Sequence, residues 1–231
     1  MFCSRFCFTI TIHLPCLKFK INYYRYFCRE FKLINLNYLA HIFLSGKNSK
    51  IQIGNFIGDF VKGSKFNDYP PKIREGILFH RRIDEFTDSH PIVIEFNKLL
   101  RPTFARYSGI ISDMYFDHFL AKNFRKYSSV SLLFFAWKFY FYALLNYWHL
   151  PSRVKGFIFH FILSNRLNKY QSQEGLRNSL EIMSKHKVKA LNPDKTIQFL
   201  QQHHDELEVL FDLFFKDLIA FCENQTVGNE N

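Results

Sequence analysis

Seven residues in the first half of the chain carry side chains that bind divalent cations, at spacings that helices would bring into line. They are His41, Asp59, His80, Asp84, Asp113, Asp117 and His118, each in an otherwise apolar stretch. Carboxylates are rarely buried without a partner, and imidazole with carboxylate makes a mixed N/O donor set for a divalent metal. His80 and Asp84 are four apart, as are Asp113 and Asp117, so each pair stacks on one helix face. Singly, each has an ordinary explanation. His41 suits a hydrogen-bonded core histidine, His80 with Asp84 a helix-surface pair, and Asp117-His118 a partner for Arg81 or Arg82. The ordered recurrence of His, His/Asp and Asp on successive segments is what points to a metal site. Arg81 and Arg82 adjoin His80, and guanidinium groups beside a metal face suit a phosphate through charge-assisted hydrogen bonds. A solvated helix face explains two arginines equally well. His203-His204-Asp205 reads as a solvated face, since adjacent residues point in different directions.

The elements that must position these groups are helical. Residues 37–43 (NYLAHIF) begin an apolar helix ended by Ser45-Gly46, and residues 51–62 (IQIGNFIGDFVK) resume the pattern up to Gly63. Tyr69-Pro70-Pro71 marks a turn from which a third helix starts, with Pro71 in its first turn. Along it Ile73, Ile77, His80 and Asp84 recur at helical intervals, so one face runs from apolar to ionisable, and Pro91 closes it. A further helix over 110–124 carries Asp113, Asp117 and His118. Residues 130–150 are hydrophobic almost all round and read as a helix buried in a helical domain. Lys138, Asn146 and His149 are costly in lipid and argue against a membrane span. Pro151 restarts the chain, and Pro193 precedes a last helix over 200–221. Neither an internal repeat nor a long linker is evident. The fold class is therefore all-α, one helical domain over 36–224, with a frayed tail over 225–231.

Composition narrows the classes further. The chain has 231 residues, a net charge of +11, 48% hydrophobic residues and only nine Gly and seven Pro, too few for a sandwich or propeller. Its 29 Phe residues fit the coding bias of an AT-rich gene rather than a stacking surface, so no nucleic-acid partner is expected. Residues 1–35 hold six Lys or Arg against Glu30, +5 of the total, and four of the five cysteines. They resemble no targeting signal and read as an N-terminal extension translated from a misplaced start. Cysteines so placed give no disulfide framework and no paired zinc motif, which fits a cytoplasmic protein without stable membrane insertion. A Walker-type phosphate loop and a G-x-S-x-G elbow are both missing.

The blocks NYLAHIFLSG, GNFIGDFVKG, HRRIDEFTD and DMYFDHFLAKNF, with the ending HHDELEVLFDLFF, together resemble the acyl carrier protein phosphodiesterase family from about Leu36 to Cys222. The resemblance implies an HD-phosphohydrolase-like helical bundle. It also implies hydrolysis of the phosphodiester between 4′-phosphopantetheine and a serine of holo-acyl carrier protein, with a divalent metal, typically Mn²⁺. Carried onto this sequence, it makes His41, Asp59, His80, Asp84 and Asp117 the pool of metal ligands. Asp59 and His118 become catalytic groups, and Arg81 and Arg82 phosphate-binding ones. The adjacent His-Asp doublet of HD enzymes is absent, since Arg81 follows His80 and the nearest pair is the reversed Asp117-His118. Two alternatives stay open: an HD-type nucleotide phosphohydrolase, and a non-catalytic basic helical protein that binds nucleic acid or an anionic membrane.

Overall fold

In the computed structural model, which describes residues 38–186 and 191–227, the regular elements are helices and no strand occurs among the described residues. The predicted extension over 1–35, with its four cysteines, lies outside them. The first five helices are α1 (Tyr38–Leu44), α2 (Ser49–Phe56), α3 (Pro71–Ser89), α4 (Pro91–Phe104) and α5 (Ser108–Lys122). After them come α6 (Phe124–Tyr127), α7 (Leu132–Leu145), α8 (Ser152–Leu163), α9 (Arg166–Lys169), α10 (Gln173–His186), α11 (Pro193–Gln202) and α12 (His204–Val227). Thus α12 runs past residue 224, and 228–231 lie outside the described residues.

The element that organises the centre is α3. Pro71 opens it, and Ile73, Ile77, His80 and Ile83 form its buried stripe. Against it packs α2, whose first turn is capped by the Asn48 side chain accepting from the N–H groups of Lys50 and Ile51. The two helices touch backbone to backbone through Gly54 and Gly76. A Cβ on Gly54 would strike the Ile73 carbonyl and the Gly76 Cα, and one on Gly76 would strike the Ile51 carbonyl and the Asn55 nitrogen. Because these neighbours are backbone atoms, they cannot swing aside. Gly54→Ala is therefore expected to cost about 3 kcal/mol of stability, read as a lower urea midpoint. A variant that unfolds at the wild-type midpoint would show that the helices part freely.

The predicted helix over 51–62 stops early. It ends at Phe56, and a 3-10 turn over Gly58–Phe60 carries Asp59. At Gly58 the chain runs against the His80 ring, and a Cβ there would collide with it. This close pass replaces continued helix and brings Asp59 beside α3.

Two aromatic clusters hold the remaining helices. Phe56 of α2 meets Phe139 of α7 at 5.1 Å and Phe161 of α8 at 5.6 Å between ring centroids. Phe116 of α5 meets Phe214 of α12 at 5.2 Å, and Phe86 of α3 stacks on Phe221 of α12 at 4.4 Å. Such pairs add to the area buried. Two expectations need correction. The segment predicted as a wholly buried helix is buried on one face only, through Leu132, Ala136, Phe139, Tyr140 and Ala143, while its other face meets solvent. The single last helix predicted over 200–221 is broken at His203, whose φ of −115° and ψ of 16° leave the helical region between α11 and α12. Among the described residues no helix is long and apolar enough to cross a membrane.

Candidate metal centre

Three elements deliver four side chains to one point. His41 comes from α1, Asp59 from the 3-10 turn, and His80 and Asp84 from one face of α3. The His41 and His80 rings lie 4.1 Å apart between centroids, and both are buried. Their Nε2 atoms face carboxylates: His41 Nε2 is 3.2 Å from Asp84 Oδ1, and His80 Nε2 is 3.2 Å from Asp84 Oδ2 and 3.5 Å from Asp59 Oδ1. One donor atom from each of His41, His80 and Asp84 falls within 4.8 Å of the others.

Asn55 explains why the Nε2 atoms point there. Its Oδ1 lies 2.7 Å from His41 Nδ1 and 3.2 Å from His80 Nδ1. Its amide cannot be reversed. Asn55 Nδ2 donates to Ser45 Oγ at 2.8 Å, and Ser45 spends its own proton on the His41 carbonyl at 2.7 Å. Oδ1, an acceptor only, therefore faces both rings, so both Nδ1 atoms carry hydrogen and both Nε2 atoms of the neutral rings present lone pairs. Neither buried Nε2 has an aligned hydrogen-bond partner, despite the carboxylates nearby. Two orphaned imidazole lone pairs facing two carboxylates form a donor set that a divalent cation completes.

The electrostatics agree. Burial lowers His41, and the charge of His80 lowers it further. Burial works to lower His80 too, but its contacts with Asp59 and Asp84 outweigh this and lift it to about 9. Burial would raise Asp84, yet the two histidines reverse this and hold its carboxyl well below the usual range. In the metal-free protein a proton on His80 thus stands where a cation would, and metal must displace it. Negative charge accumulates nearby. Asp113 is raised well above its ordinary value by burial and then by the charges of Asp84, Asp117, Asp59 and Asp88, and Asp88 is raised by burial and by Asp84. The Asp84 side chain is 35% exposed, so the centre is open to solvent on that side.

The other predicted site residues are seated elsewhere. Asp117 is fully buried and takes the backbone N–H groups of Leu39 and Ala40 at 3.0 and 2.9 Å, capping the helix that carries His41. Burial raises it to about 8 against those two bonds. His118 is buried and donates from Nδ1 to the Tyr170 carbonyl at 2.7 Å; burial lowers it. Arg81 donates to the carbonyls of Val61 and Gly63 and lies over Phe66, tying the loop after Asp59 to α3. Arg82 donates to Gln225 Oε1 at 3.0 Å and lies over Phe79. Asn55 and Ser45 belong to the site although neither is among the metal-binding residue types read from the sequence. A polar residue inside the apolar run IQIGNFIG is the same signal that singled out His41. A second His/acid group, His204 with Asp205 and Glu208, already holds a cation, because Lys122 Nζ lies 2.6 Å from His204 Nε2.

A helical protein that gathers histidine Nε2 atoms and aspartates at one partly open point is built to hold a divalent cation. The chain belongs to the acyl carrier protein phosphodiesterase family, whose profile matches residues 36–218. It is similar to proteins named acyl carrier protein phosphodiesterase from Yersinia pestis, Klebsiella pneumoniae (strain 342) and Salmonella agona (strain SL483). The first is 28% identical over 193 residues, which span 83% of this chain and 100% of that protein. The Klebsiella protein is 31% identical, over 82% of this chain and 99% of its own length. The Salmonella protein is 29% identical, over 80% and 96%. No solved structure matches the chain.

Proposed function

We propose that this chain hydrolyses the phosphodiester that joins 4′-phosphopantetheine to a serine of holo-acyl carrier protein, in the cytoplasm and with Mn²⁺ as its metal. The observation that carries this is the meeting of His41 and His80 Nε2 with Asp59 and Asp84 in a chain of this family. In the reaction, oxygen from water bonds to phosphorus, the bond from phosphorus to the serine oxygen breaks, and the serine oxygen takes a proton. A divalent cation, when bound, polarises the phosphoryl group and makes water more acidic.

The protein's own groups do the rest. His41, His80, Asp59 and Asp84 are the donors, and Asn55 holds the two rings in the tautomer that donates through Nε2. Asp117 fixes the start of α1 and so the place of His41. The open Asp84 side admits the phosphodiester. On the outer face of α3, a groove lined by Arg74, Leu78, Arg81 and Arg82, with Glu75 and Glu85, offers guanidinium groups to an acidic carrier. Burial of the Arg82 Nε without a partner leaves one donor direction unused there.

The test is a mass shift. Purified protein, Mn²⁺ and holo-acyl carrier protein are expected to yield carrier lighter by the phosphopantetheine group, and EDTA is expected to stop the change. A carrier left intact by folded, metal-loaded protein would defeat the reading and direct assays to nucleotide phosphates.

A further inference from the structure

Helix α7 turns an apolar face to solvent. Phe134, Trp137, Phe141 and Leu145 line it, Trp148 follows in the next turn, and Leu163 at the end of α8 is exposed as well. Trp148 is 84% exposed, Leu163 74% and Trp137 52%, where a monomeric protein ordinarily leaves only isolated apolar side chains. We propose that this face of α7 and α8 is an interfacial docking surface for an anionic phospholipid bilayer, a role separate from the metal centre.

Charge selects the occupant. Between His118 and Gln173 the chain has eight Lys or Arg residues and neither Asp nor Glu. Lys138 projects from within the patch, and Lys155 Nζ lies over the rings of Tyr147 and Trp148 while donating to the Trp148 carbonyl. A second copy of this chain would set these cations against their own kind, and so would the basic residues 1–35. A protein partner ordinarily meets a rim of mixed polar groups, and the segment that builds this face, between His118 and Gln173, contributes no acidic residue to one. Aromatic rings flanked by long-stemmed cations, with no carboxylate, match the interfacial region of a bilayer. There Trp and Phe sit at headgroup depth and Lys reaches phosphate. At 14 residues α7 falls short of the roughly 20 needed to span, so it lies in the plane of the surface.

Trp137 and Trp148 are the only tryptophans in the chain, so tryptophan emission, excited beyond the tyrosine band, reports on this face alone. The full chain is mixed with vesicles of phosphatidylcholine, or of phosphatidylcholine with about one-third phosphatidylglycerol. A blue shift and co-flotation are expected with the anionic vesicles only, reversed as salt rises from about 0.05 M to about 0.5 M. The double variant Trp137→Ser with Leu145→Ser is expected to bind at least about tenfold more weakly. It should keep its helical circular dichroism and its activity on carrier in solution. Three results would overturn the proposal. One is equal binding to both vesicle types. Another is an emission already blue-shifted and indifferent to vesicles, which would mean that a second copy or another part of the chain covers the face. The third is a raised KM for carrier in the double variant without vesicles, which would make the face a protein-docking site.

Discussion

His80→Ala is expected to slow release of 4′-phosphopantetheine by at least about a thousandfold. Of the four proposed donors His80 is the most deeply tied into the cluster: its Nε2 faces both Asp84 and Asp59, and its Nδ1 is held by Asn55. Without it the two carboxylates lose the group that spaces them, and Asp59, carried on a 3-10 turn, loses the ring against which Gly58 packs. The fold should survive. Asn55 keeps its bonds to His41 and Ser45, and α3 keeps Ile73, Ile77 and Ile83 in the core. The truncation should cost about 1–3 kcal/mol. Intact mass of the carrier over time reads the rate, far-ultraviolet circular dichroism reads the fold, and metal analysis of dialysed protein reads the ligand set. Helical protein that turns over within tenfold of wild type would remove His80 from the metal centre.

What could be read in advance followed periodicity. The face Ile73, Ile77, His80 and Asp84 obeys the helical interval, and α3 buries the first three and leaves Asp84 at the solvent edge. His41 and Asp59 stand out in the sequence because a polar group in an apolar run needs a partner. The rest depended on contacts between distant parts of the chain. Asp113 and Asp117 do share a face of α5, but nothing local reveals that Asp117 will cap Leu39 and Ala40, 78 and 77 residues away. His118 finds its carbonyl 52 residues off, at Tyr170. Asp59 left its predicted helix because Gly58 must pass the His80 ring, a demand set by another helix. For α7 the rule itself fell short. A helix apolar all round implies burial, and the packing of α7 on α2 and α9 uses only one side of it.

Asn55 also had no motif to announce it, yet its substitution should show how the centre is kept ready for metal. In Asn55→Ala both buried Nδ1–H groups lose their acceptor, at about 1–3 kcal/mol for each donor left unpaired. The rings have a way out. Freed from Asn55, a neutral imidazole can carry its hydrogen on Nε2 instead and donate it to Asp84 or Asp59, already 3.2 and 3.5 Å away. The same carboxylates then satisfy a proton instead of a cation. Half-saturation by Mn²⁺ is therefore expected to rise about 10–100-fold, while the rate at saturating metal falls far less. Nitrogen-15 spectra of the metal-free protein should show the hydrogen of the neutral His41 ring moving from Nδ1 to Nε2. Asn55→Asp separates orientation from simple packing, since it keeps an acceptor for both rings while giving up the donor to Ser45 and adding a carboxylate charge beside them. It should preserve the tautomer and recover most of the metal affinity. If Asn55→Ala binds Mn²⁺ as wild type does, the rings are oriented by the packing of α1 and α3 alone and the amide only fills space. If instead the aspartate variant restores what alanine loses, the hydrogen bonds to Nδ1 set the metal affinity of the centre.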